Sequence, residues 1–95
     1  MKLFVLAGEP SGDRIGADLV RRLRGRVDLE IAGVGGDELM VEGLRSLYPM
    51  SDLAVMGISD VLRRLPLLLW RVEQTARAIA RIKPDITVLI DSQEF

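Results

Sequence analysis

Apolar residues fall in short blocks closed by glycine. Residues 2–7 (KLFVLA) form a nearly continuous apolar run ending at Gly8, as expected of a strand buried on both faces in a parallel sheet. Beyond Gly8 the period changes. Ile15, Leu19, Val20 and Leu23 recur at helical spacing, with Ser11 or Asp13 placed to cap that helix and Gly25 to stop it. Residues 29–36 (LEIAGVGG) repeat the device before the helical DELMVEG at 37–43. Residues 44–49 (LRSLYP) predict a short third strand. From about Gly57 to Ile82 the spacing is helical again, interrupted by Pro66. Proline removes a backbone donor, so two helices are expected to meet near residues 64–66. Lys83-Pro84 ends the second, and residues 85–91 (DITVLID) read as another buried strand.

This β-α-β-α-(β)-α-β alternation predicts an α/β fold with a Rossmann-like, doubly wound parallel sheet and right-handed crossovers. If the strand order is 44–49, 29–36, 2–7, 85–91, it reverses between the last two. Ligands of open α/β sheets bind beyond the carboxyl ends of the strands at such a reversal. The segments meeting there are Gly8–Asp13 and Asp91–Phe95, with Gly33–Asp37 next to them. Residues 1–95 make at most one domain. A parallel strand that stands just before the last residues, with no helix to cover it, suggests the front portion of something longer.

Composition narrows the chemistry. There is no cysteine and no histidine, so disulfides, thiolate catalysis, Ser-His triads and common zinc sites are excluded within these residues. The net charge of -1 and the 4% aromatic content give no footprint for nucleic acid. Arg21, Arg22, Arg24 and Arg26 sit at the end of a predicted helix, where the macrodipole favours cations. Lys2 to Ala7 is too short for a signal-peptide core, and no run reaches the ~18 apolar residues of a membrane span. The expectation is a cytoplasmic, soluble chain.

GEPSGD at 8–13 is not a nucleotide-phosphate loop, because Asp13 follows Gly12 where a lysine would reach a phosphate. GVGGDE is not the dinucleotide fingerprint either. Each glycine group has a plain reading as a tight turn, and Asp91 one as a helix cap or turn residue. Their order along the chain adds more. AGEPSGDRIGADL, GVGG with a following EG, LAVMGISDVLRRLP and KPDITVLIDS occur in succession. Together they closely resemble the N-terminal part of the lipid-A-disaccharide synthase family, over nearly all of the chain.

The resemblance implies the front of a two-domain GT-B glycosyltransferase, with the rest of this domain and a UDP-binding domain beyond residue 95. Such enzymes join UDP-2,3-diacylglucosamine to 2,3-diacylglucosamine 1-phosphate through a β-1,6 bond and release UDP. It assigns the acceptor side of the site to Gly8, Glu9, Ser11, Gly12 and Asp13, with Gly35 and Gly36 beside them. Asp91 becomes the base that takes the acceptor hydroxyl proton. An unperturbed aspartate has a pKa of about 3.9, so that role requires burial to raise it. No metal or cofactor is implied. The chain departs from the family pattern at Pro10, Asp37, Gln93 and Glu94.

SDVLRRLPLLLWRV places Val61, Leu62, Leu65, Leu68 and Leu69 along one side, bordered by Arg63, Arg64 and Arg71. A helix packed on the sheet would look like this. So would one lying in a lipid interface, and the breadth of the apolar face, extending to Leu67 and Trp70, favours the latter. By resemblance this patch docks the enzyme on the inner face of the inner membrane and admits acyl chains. Val72, Ala76, Ile79 and Ala80 are expected to pack on the sheet. Two other functions fit parts of the chain: a flavodoxin-like phosphate module with Glu9, Asp13 and Asp91 around Mg²⁺, or a membrane-surface adaptor without chemistry.

Overall fold

The structure is a computed structural model that describes residues 1–53 and 58–90. Its elements are β1 (Lys2–Ala7), α1 (Pro10–Arg24), β2 (Glu30–Val34), α2 (Asp37–Val41), a 3₁₀ turn (Met50–Leu53), α3 (Ile58–Ile82) and β3 (Ile86–Ile90). The three strands form one parallel sheet in the order β2-β1-β3. This is an α/β fold with flanking helices, and the predicted reversal lies between β1 and β3.

β1 is the centre of the molecule. Phe4 sits opposite Ala32 on one side and Thr87 on the other. Leu3, Val5 and Ala7 point to one face, where they pack with Ala17 and Val20 of α1 and Leu39 of α2. Phe4 and Val34 are equally buried on the opposite face, where Arg81 and Ile82 of α3 lie beside Ala32. Each large side chain buried in this way contributes roughly 1.5–3 kcal/mol. β3 is more open, with Ile86 and Leu89 exposed. Gly33 has a φ of 135°, and a methyl there would run into the Val5 backbone, so only glycine fits between these two strands.

The structure corrects four expectations. Residues 44–49 make no strand among the described residues; their ladder pairing with the sheet is a single parallel bridge between Ser46 and Gly33. The Leu47 amide donates to the Gly33 carbonyl, but Ser46 uses its hydroxyl for Gly35, and Pro49 leads directly into the 3₁₀ turn. Pro66 does not split the long helix: α3 continues through it. The bond Pro66 cannot make belongs to the carbonyl of Leu62, and both residues are exposed, where losing that bond costs less than in a buried helix.

Capping of α1 also differs. Glu9 is the N-cap residue and Pro10 opens the helix, so Ser11 and Asp13 lie inside its first turn. Finally, Val72, Ala76 and Ala80 are exposed and Ile79 is half-buried; Thr75 and Ala78 form the buried face of that part of α3. Thr75 is there because the buried Tyr48 hydroxyl needs a partner, which it finds at 2.8 Å. Two of the arginines ending α1 hold the residue that caps α2: Arg21 pairs with the Glu42 carboxylate at 3.1 Å, and Arg24 donates to the Glu42 carbonyl at 2.7 Å. Asp91–Phe95 and the 54–57 part of the LAVMGISD block lie outside the described residues.

Candidate functional site

The carboxyl ends of β1 and β2 open into a cleft of about 410 Å³. Pro10, Asp13 and Arg14 of α1 line one side; Gly36 and Asp37 another; Met50 and Ser51 close it. The two glycine-bearing loops singled out in the sequence therefore do converge. The β3 end is brought to the same place. A methyl on Gly12 would lie 3.2 Å from the Ile90 side chain and 3.6 Å from its carbonyl oxygen. The residue before Asp91 thus packs on the first turn of α1. Asp91 itself lies outside the described residues.

Asp13 is the organising side chain of the cleft. It is buried on α1, 4% exposed, yet its carboxylate serves α2. Oδ1 accepts the Gly36 amide at 2.9 Å and the Leu39 amide at 3.0 Å; Oδ2 accepts the Glu38 amide at 2.9 Å. These are the donors that a helix N-terminus leaves without partners. A fixed carboxylate thus occupies the place an anion would take there. The acidic residue that rules out a nucleotide-phosphate loop in the sequence does so physically, by filling the amide nest beside it.

Gly36 is required by this arrangement. A methyl there would stand 2.8 Å from Asp13 Oδ2 and 2.9 Å from Met50 Cε. Gly36→Ala is expected to lower stability by about 1–3 kcal/mol through overpacking, read as a lower urea midpoint at constant m. A midpoint unchanged in Gly36→Ala would show that the carboxylate has room to retreat.

The remaining predicted residues take distinct places. Gly8 is half-buried against Leu53. Glu9 is exposed at the N-cap of α1, and Ser11 is half-buried on the first turn behind it. Gly35 donates its amide to Ser46 Oγ at 3.2 Å and packs on Leu39 and Leu44. Among the described residues no three acidic side chains gather to hold a metal ion, and Asp13, which the magnesium alternative needs, is committed to three amides. The leucine patch is not in the cleft. On α3, Leu62, Leu65 and Leu69 are exposed while Val61 and Leu68 are half-buried; Trp70 and Val72 extend the exposed surface. No helix among the described residues is long and apolar enough to cross a membrane.

Sequence reasoning missed the segment that closes the cleft, Met50–Leu53. Its one signal is polar: Asp52 lies three residues past the turn-forming Pro49, at no periodic position. Nor does the sequence link it to Arg71, which reads as a border residue of the apolar patch.

Comparison with known proteins adds to this geometry. The family model described as lipid-A-disaccharide synthetase matches residues 3–95. The lipid-A-disaccharide synthase of Rhodospirillum centenum is 46% identical over 95 residues, covering 98% of this chain and 24% of that protein. The enzyme of the same name from Nitrobacter hamburgensis is 44% identical over 96 residues, 99% of this chain and 24% of its own. That from Paramagnetospirillum magneticum is 45% identical over 97 residues, 100% of this chain and 25% of its own. The chain spans about a quarter of the length of the curated relatives it matches.

Proposed function

The chain belongs to the lipid-A-disaccharide synthetase family, and from this we propose that the protein carrying it is an inverting glycosyltransferase of lipid A biosynthesis. It joins UDP-2,3-diacylglucosamine to 2,3-diacylglucosamine 1-phosphate, forming a β-1,6-linked disaccharide phosphate and UDP. Residues 1–95 are then the incomplete, acceptor-side domain of a GT-B fold, and the UDP half of the donor is held by a second domain. The observation that carries this reading is the engagement of Asp13 with the α2 amides. A cleft whose amide nest already holds a carboxylate is poorly suited to a nucleotide's phosphates. The other polar side chains that line it, Asp37 and Ser51 among them, suit sugar hydroxyls.

In the proposed reaction the 6-hydroxyl oxygen of the acceptor attacks the anomeric carbon of the donor. The bond to the UDP oxygen breaks, UDP leaves with the electron pair, and Asp91 takes the hydroxyl proton. Gly8, Glu9, Ser11, Gly12 and Asp13 shape the acceptor side, with Gly35 and Gly36 as its floor. The packing of Ile90 on Gly12 supports placing Asp91 beside that loop. The test is the intact gene product supplied with both sugar lipids in mixed micelles. Disaccharide phosphate and UDP in equal amounts are expected; a folded protein that makes neither overturns the reading and leaves a non-catalytic sugar-lipid or membrane-surface protein.

The exposed leucines of α3 support docking on the cytoplasmic face of the inner membrane, where the acylated substrates reside. With Leu62, Leu65 and Leu69 partly inserted, several kcal/mol of apolar transfer is available. Leu62→Ser, Leu65→Ser and Leu69→Ser together are expected to lower binding to phospholipid vesicles by about 100-fold or more. Binding within threefold of the wild type would assign these side chains to cover by another part of the protein.

A further inference from the structure

A polar network centred on Arg71 lies outside the cleft but is joined to its walls. Arg71 Nε donates to Asp52 Oδ2 at 3.0 Å, its Nη2 lies 2.9 Å from the same oxygen, and Nη1 donates to Gln74 Oε1 at 2.8 Å. The guanidinium lies 4.7 Å from the Tyr48 ring centre and 4.3 Å from that of Trp70. The Arg71 and Asp52 side chains are only 14% and 20% exposed. Such a pair is less screened than a surface ion pair. Thr75 donates to the Arg71 carbonyl, so the Tyr48 hydroxyl donates to Thr75.

Both ends of this network reach the cleft. Ser46 Oγ accepts the Gly35 amide and donates to the Tyr48 carbonyl at 2.6 Å. Asp52 sits in the 3₁₀ turn, whose Leu53 lies against Gly8 and whose Met50 lies against Gly36. Met50 and Ser51 line the cleft itself. Arg64 adds a second hold, donating to the carbonyls of Ser51 and Asp52 at 3.3 and 3.4 Å.

We propose that Arg71 is a positioning residue of the acceptor cleft: by gripping Asp52 it seats the 3₁₀ turn against Gly8 and Gly36 and fixes the width between the two glycine loops. The proposal rests on the reading of that cleft as the acceptor site. Arg71 touches no substrate. Its grip acts on the wall opposite Asp13, so its loss loosens acceptor binding and leaves the donor's UDP contacts in place.

The test uses the full-length protein with Arg71→Met, which keeps an apolar stem between Tyr48 and Trp70, Asp52→Asn, and the pair combined. Each single variant is expected to raise the acceptor KM about tenfold, with donor KM and kcat within about twofold. The combined variant is expected to be no worse than the weaker single one, because both break the same contact. Hydrogen exchange supplies a readout independent of turnover. The Asp52 amide, bonded to the Pro49 carbonyl at 3.0 Å, is expected to exchange at least about tenfold faster in Arg71→Met. An unchanged acceptor KM, an equal rise in both KM values, or additive effects overturn the proposal. A wild-type protein without transferase activity overturns the functional reading instead. Unchanged exchange at Asp52 overturns the grip whatever the turnover.

Discussion

Asp13→Ala is expected to destabilise the intact protein by about 3–4 kcal/mol, more than any other single change in the cleft. The side chain is buried, and its removal takes the acceptor from three amides at once, those of Gly36, Glu38 and Leu39. Hydrogen bonds to a charged group are worth about 1.5–3 kcal/mol each. Three that share one carboxylate do not add in full. Even so, the loss is a large part of the roughly 5–15 kcal/mol that holds a typical protein folded. Asp13→Asn keeps one oxygen but turns an NH₂ towards an amide donor, so it is expected to lose about half as much. Urea titration measures both, and exchange of the Leu39 amide locates the damage. A loss below about 1 kcal/mol would mean that water replaces the carboxylate. A stable Asp13→Ala protein with a raised acceptor KM would make Asp13 a sugar ligand first.

Asp91→Asn is expected to lower kcat by about 10²–10⁴, or about 3–5 kcal/mol of barrier, with both KM values nearly unchanged. The substitution keeps shape and hydrogen-bonding capacity while removing the ability to take a proton. A loss confined to kcat is the mark of an interaction made in the transition state. Single-turnover measurements with both sugar lipids separate this step from product release. Undiminished kcat would keep the family and place the base elsewhere. A rise in acceptor KM at constant kcat would instead make Asp91 a binding group.

The strands and the two glycine turns are legible because each is a local pattern: a short apolar run, then a residue that permits a turn. Their order in the sheet, β2-β1-β3, is the one that a doubly wound arrangement of these strands supposes. The failures are instructive. Whether residues 44–49 pair as a strand depends on competition between backbone ladder and side chain, and Ser46 takes the second option with Gly35. Pro66 breaks a helix only where its missing bond is costly, and exposure is a tertiary property. The role of Asp13 was invisible for a deeper reason. Its partners are backbone amides 23 to 26 residues away, and an amide has no letter in the sequence. Asp91, by contrast, stands out through the resemblance of its motif; spacing alone leaves it a turn residue.

The carboxylate that spans α1 and α2 also dictates when the cleft can form. Gly8 to Asp13 is synthesised before α2, yet the contacts that fix its far end reach forward to Leu39. Until β2 has paired and α2 has made its turn, Asp13 faces water and three amides have no acceptor. Closure of such a segment is an entropic cost that only the completed contact repays. The cleft is therefore complete only once α2 has formed, and the first β-α unit leaves a ribosome without it.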